Sequence, residues 1–175
     1  MEPTIDEPVH LRPHDPAWPE LFAHESTRIL ASVEPECAVE HIGSTAVSGL
    51  DAKPIIDIMI GVSAFSPGHP IVAHLVEMGY ESLGETGIPG RLYFRRRSVA
   101  QPFNVHVVQH DGLIWCDNVA LRDYLLVNPE AARRYADAKR QAADNAPQLA
   151  IKPWGRVRGV RGSVRWPCLL CVASG

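Results

Sequence analysis

The segment Pro54-Ile55-Ile56-Asp57-Ile58-Met59-Ile60-Gly61-Val62 is apolar almost throughout and bounded by breakers, a pattern that predicts an interior strand carrying a single charge, Asp57. Shorter strand-like stretches run over Cys37 to Ile42, Arg91 to Arg97 and Phe103 to Val108, and Gly87-Ile88-Pro89-Gly90 predicts a turn before the second of these. Helical spacing of apolar positions occurs over Ile71 to Met78 and Val119 to Val127. Asn128-Pro129-Glu130 then predicts a fresh helix, with Asn as cap and Pro at its first position, continuing through the helix formers of Ala131 to Ala143. His14-Asp15-Pro16-Ala17-Trp18 predicts another helix start, with Asp15 as N-cap, Pro16 in the first turn, and Phe22, Ile29 and Leu30 along one side. Strands alternating with helices favour an α/β or α+β fold, a sheet with helices packed on it, and there is no repeat at a solenoid period.

Composition narrows this to a globular domain: 175 residues, 46% hydrophobic and 21% charged. No apolar run approaches the ~20 residues that span a bilayer, and the acidic start MEPTIDEPVH is unlike a secretory signal. A cytoplasmic address without a membrane partner is therefore expected. The net charge of -3 hides an asymmetry, because all 20 acidic residues precede residue 150 while Lys152, Arg156, Arg158, Arg161 and Arg165 follow it. We thus expect one domain over residues 1–150 and a basic, divergent tail over 151–175. A frameshifted or divergent replacement is the favoured reading of that tail, ahead of RNA or membrane binding. Its lone Cys168-Leu169-Leu170-Cys171 lacks the context of a redox or zinc motif, and the four cysteines are expected as reduced thiols. His10, His14, His24, His69, His74 and His110 have no metal-ligand spacing.

The densest chemistry lies over residues 40–57. A strand that ends in Gly43-Ser44-Thr45 and enters a turn offers backbone N–H groups and two hydroxyls suited to phosphate oxygens, although an ordinary capped turn has the same spelling. The segment is not a P-loop, since Gly43 and Gly49 are too far apart and Leu50 stands where the lysine is required. Asp57, set among apolar neighbours, needs compensation by a divalent metal or a lysine such as Lys53; a structural ion pair is the alternative.

Taken together, HIGSTAV at 41–47, Gly49-Leu50, AKPIIDI at 52–58, GIPGR at 87–91, LRDYL at 121–125, Asn128-Pro129-Glu130 and the helix Tyr135-Ala136-x-x-Lys139 resemble the GrpB family, from about Val9 to Arg140. That family also occurs as the C-terminal domain of some dephospho-CoA kinases and resembles the nucleotidyltransferase fold superfamily, a mixed sheet with flanking helices. The superfamily signature is Gly-Ser, a gap of roughly 9 to 13 residues, an Asp-x-Asp/Glu strand and a third acid on a later strand. Gly43-Ser44 and Asp57 fit, with twelve residues between them, but Met59 stands at the second acid and the strand with Asn104 and His106 offers no third.

The resemblance implies a transferase that binds a nucleoside triphosphate, ATP foremost, with Mg²⁺ or Mn²⁺, and passes a nucleotidyl group to a small acceptor. A catalytically silent nucleotide-binding or regulatory module, and an ATP-dependent carboxylate-activating, amide-forming enzyme, are the alternatives. In this picture Asp57 and His106 hold metal, with His106 or His41 assisting catalysis. Gly43, Ser44, Thr45, Lys53, Arg91, Arg95, Arg122, Tyr124 and Lys139 would surround the nucleotide, the arginines through guanidinium forks that match phosphate geometry. Arg96 and Arg97 are expected as surface charges. Nucleic acid is not an expected partner.

Overall fold

In the computed structural model, residues 10–31 and 37–145 are described, side chains as far as residue 141; the expected tail over 151–175 lies outside them. Five strands, β1 (Ala38–Ile42), β2 (Ile56–Val62), β3 (Glu81–Ser82), β4 (Arg91–Arg96) and β5 (Phe103–Gln109), form one mixed sheet in the order β1-β2-β5-β4-β3. β2 and β5 are its parallel centre, and the remaining pairings are antiparallel. Four helices flank it: α1 (Trp18–Leu30), α2 (Pro70–Glu77), α3 (Leu113–Val127) and α4 (Pro129–Asn145).

The alternation of β2 decides what each face does. Ile56, Ile58, Ile60 and Val62 point to one side, where they meet Val105 and Val107 of β5, Leu92 and Phe94 of β4, and Trp18, Ile29, Ile71 and Leu75 of α1 and α2. Each such aliphatic side chain contributes about 1.5 to 3 kcal/mol by leaving water. The opposite face carries Asp57, Met59 and Gly61, and the register places them beside Asn104, His106 and Val108. Its outer part is apolar, with Met59, Ile42, Val108 and Trp115 packed together under the start of α3. Gly61 is required there, since a Cβ would lie 2.7 Å from the Trp115 ring.

Several boundaries differ from the sequence expectation for local reasons. α1 begins at Trp18 with Pro19 in its first turn, and Asp15 accepts the Ala17 N–H at 2.9 Å just ahead of the helix instead of capping it. Leu30 is 41% exposed; the inward positions are Trp18, Phe22, Glu25 and Ile29, one charged member among them. α3 begins at Leu113, six residues earlier than its apolar spacing suggested, because Trp115 already packs on the sheet. Asn128 donates its side-chain amide back to the Tyr124 carbonyl of α3 at 2.8 Å and so finishes one helix as the next begins.

Candidate functional site

β1 ends at Ile42, opposite Asp57, and the chain turns at Gly43 into a short 3-10 helix, Ser44–Ala46. Gly43 adopts φ +73°, and a Cβ there would approach Asp57 Oδ2 to 2.7 Å. Glycine is therefore demanded twice, by the left-handed backbone and by the carboxylate beneath it. Asp57 is buried; its Oδ1 accepts the Asn104 Nδ2–H at 2.8 Å and lies 3.5 Å from His106 Nε2. Its Oδ2 is also buried and has no hydrogen-bond partner among the described residues. Asn104 is fixed in turn by the Tyr93 hydroxyl, which donates to its Oδ1 at 2.8 Å, and by Arg97 Nη2 at 3.0 Å. Arg97, expected as a surface charge, thus supports the site through Asn104.

The positive side of the site comes from the far end of the chain. Lys139 on α4 is buried and donates to Ser44 Oγ at 2.7 Å, across 95 residues of sequence. Burial pulls its ammonium down to about 8, the Asp57 charge opposing that shift and the Lys53 charge adding to it. Lys53 is buried as well. Arg91 lies over the Tyr93 ring at 5.2 Å and donates to the Glu85 and Thr86 carbonyls. Burial first, and the Arg91 charge second, hold the His106 imidazole below its ordinary range against the pull of Asp57, so at neutral pH it is uncharged. Lys139 thus stands at the turn next to the carboxylate, Lys53 acts on Lys139, and Arg91 acts on His106 from farther along β4, so positive charge gathers on this side of the sheet.

Not every residue singled out in the sequence arrives here. His41 alternates to the other face of β1; its Nε2 is 3.0 Å from Thr45 Oγ1, and its ring stacks on Phe22 at 4.7 Å. Burial lowers it to about 4, with Arg122 and His14 acting in the same sense and Asp57 against, so a neutral His41 fixes the 3-10 turn and stands apart from the carboxylate. Arg95 faces Asn104 in register, but its Nε runs outward to Glu81 Oε2 at 2.6 Å. Arg122 braces β1 through the Glu40 carboxylate and the His41 carbonyl and also bonds Asp123. Tyr124 is 43% exposed on α3. Arg96, expected at the surface, enters the opposite face to pair with Glu25 at 2.8 Å.

The donor set bears on metal chemistry. Met59, at the position of the second acid, is fully buried in an apolar cluster, and Asn104 rather than His106 is the closer β5 neighbour of Asp57. Among the described residues no group of three or more His, Cys, Asp or Glu side chains could hold a metal ion. The residues therefore do not fit a two-metal centre. The orphaned Oδ2 of Asp57 fits at most one hard cation, completed by oxygens from a bound ligand. Sequence reasoning met Asn104 only as a missing acid and passed over Tyr93; the parallel register of β2 with β5 and the antiparallel register of β4 with β5 bring them to Asp57.

A family model described as GrpB protein matches residues 8–152. A UPF0157 protein of Pseudomonas aeruginosa is 39% identical over 150 residues, covering 81% of this chain and 60% of the relative. A dephospho-CoA kinase of Mycolicibacterium paratuberculosis is 30% identical over 184 residues, covering 85% of this chain and 44% of the kinase. The chain thus spans only part of the length of these relatives. Among solved structures, GrpB from Enterococcus faecalis superposes with a TM-score of 0.70 at 35% identity, covering 79% of this chain and 85% of that one. The Cid1 poly(U) polymerase gives 0.53 at 14% identity, covering 75% and 43%, a likeness of fold alone. Among the described residues no helix is long and apolar enough to cross a membrane.

Proposed function

The chain belongs to the GrpB family, and from that membership and the arrangement around Asp57 we propose that it binds a nucleoside triphosphate, ATP foremost, and transfers its nucleotidyl group to a small acceptor. The observation that supports this reading most is the buried Lys139–Ser44 contact, which holds a cation at the turn next to Asp57, where the nucleotidyltransferase-like fold would receive phosphate. Ser44 and Thr45 present hydroxyls to phosphate oxygens, and Lys139, Lys53 and Arg91 neutralise their charge. Asp57 Oδ2 would share one Mg²⁺ or Mn²⁺ with those oxygens, and the ion would supply charge neutralisation at phosphorus. In this reading His106, neutral and with Nε2 toward Asp57 Oδ1, would take the acceptor proton at Nδ1 as the acceptor oxygen bonds to the α-phosphorus and pyrophosphate departs.

A second reading has its own support. Met59 and Asn104 at the positions of two acids leave less negative charge than two-metal transfer uses, which favours a silent module that binds nucleotide and passes on the signal. Calorimetry of ATP with and without Mg²⁺ or Mn²⁺, paired with a pyrophosphate assay, separates these. Metal-assisted binding with pyrophosphate release, both lost in Asp57→Ala, is the expected result. Binding without turnover supports the silent module, and normal activity of Asp57→Ala removes the central role given to that residue.

A further inference from the structure

Asn104 stands where a third acid would be, and its surroundings give the amide a different task. Asp57 of β2 is paired in register with Asn104 of β5, and Tyr93 of β4 reaches the same amide from its place opposite His106; all three side chains are buried. An asparagine has two ends of nearly equal shape and opposite hydrogen-bonding character, so what it presents depends on what holds it. Tyr93 donates its hydroxyl to Asn104 Oδ1 at 2.8 Å, and Arg97 Nη2 donates to the same atom at 3.0 Å. A phenol can turn and accept, but a guanidinium only donates, so Arg97 fixes which end of the amide is oxygen. Arg97 is anchored in turn, its Nη1 donating to the Phe103 carbonyl at 3.0 Å. The Nδ2–H therefore faces Asp57 and donates to Oδ1 at 2.8 Å.

This makes the two oxygens of Asp57 unequal. Both β5 neighbours approach Oδ1, His106 Nε2 standing 3.5 Å from it, while Oδ2 has no partner among the described residues and lies beneath Gly43, where a Cβ would come within 2.7 Å of it. The last torsion of an aspartate is broad, and the Asn104 bond sets the plane of the carboxylate, one oxygen against β5 and the other toward the 3-10 turn. A second acid at position 104 would repel Asp57 and offer it no hydrogen.

We propose that Asn104, locked by Tyr93 and Arg97, is a positioning residue that ties Oδ1 of Asp57 to β5 and aims Oδ2 toward the Gly43-Ser44 turn as a single-oxygen ligand for one divalent cation shared with the nucleotide. The proposal rests on the nucleotide reading above and adds to it that the place of the absent third acid serves as a guide for the remaining one, with Tyr93 and Arg97 as its supports. Residues that orient a metal-binding carboxylate from behind typically govern about 10- to 100-fold in metal affinity.

The test is calorimetry of ATP with and without Mn²⁺ on the full chain. It compares wild type with Tyr93→Phe/Arg97→Met, which deletes both donors to Oδ1 and lets the amide turn, and with Asn104→Leu, which has similar size and no hydrogen to give. Mn²⁺ should tighten ATP binding in the wild type, and both variants should lose about tenfold of that gain while their metal-free ATP affinity stays unchanged. Where Asn104→Leu fails to fold, the double variant decides. A gain that survives in the variants would overturn the guide and leave the nucleotide site standing. Equal weakening with and without Mn²⁺ would also overturn it, since a merely structural role moves both arms alike. Wild-type ATP binding that Mn²⁺ leaves unchanged would overturn the cation together with its guide, and no ATP binding at all would overturn the nucleotide reading as well.

Discussion

Two buried carboxylates, one on each face of the sheet, are treated in opposite ways. Glu25 of α1 accepts the Tyr80 hydroxyl at 2.9 Å and bonds Arg28 and Arg96 at 2.8 Å, while Arg96 in turn lies over the rings of Tyr80 and Phe103. Burial pushes the Glu25 carboxyl up, yet the Arg96 bond and charge, the Tyr80 hydroxyl and Arg28 outweigh it and leave it below its usual value. Tyr80 moves upward, burial and the Glu25 charge both opposing phenolate. Asp57 keeps one oxygen hydrogen-bonded and the other bare, and Lys139 donates to Ser44. A buried acid alone says little about function; a closed set of partners marks a structural latch, and an unsatisfied oxygen marks a place built for something else.

Removing each acid should break this comparison most visibly. Glu25→Ala strands the largely buried Arg96 and should cost about 3 to 5 kcal/mol, read as a large fall in thermal midpoint. Asp57→Asn keeps an acceptor for Asn104 and should change stability by under about 1 kcal/mol while abolishing turnover. Equal destabilisation in the two variants would mean that Asp57 is a latch as well.

Lys139 sharpens the contrast through pH. Its folded value near 8 lies below the ordinary 10.5, so between those limits the unfolded chain holds more protons and stability rises with pH. Phosphate affinity should run the other way, falling about tenfold as pH climbs through 8 and the ammonium is lost. Lys139→Arg should flatten both curves. His41 acts at the acid end: with a folded value near 4 against 6.5, its contribution to stability is full above 6.5 and is lost as pH falls through 4, and His41→Phe should reduce that acid sensitivity. The smallest effect belongs to Arg95. Its pair with the half-exposed Glu81 should be worth about 0.2 to 1 kcal/mol, and Arg95→Ala should leave ATP affinity where it was.

Much of this was legible in the chain. The apolar run with one acid gave β2 its place, and Gly43, Ser44 and Asp57 stood at a spacing that the fold keeps together. Strand parity was harder, since it sends His41 away from Asp57 and turns Arg96 inward, and a one-residue difference in alternation decides each case. Asn104 and Tyr93 depend on the register of β5 with its neighbours, information that no local pattern carries.

The bond from Lys139 to Ser44 also sets a timetable. Every described strand is synthesised by Gln109, ahead of α3 and α4, so the residues that pair the sheet and seat Asp57 beneath Gly43 leave the ribosome before Lys139 does. The lysine that braces the turn arrives only with α4. A half-made domain therefore has its acid but lacks this cation, and the polyanion binding proposed above would mark that translation has passed the last described helix.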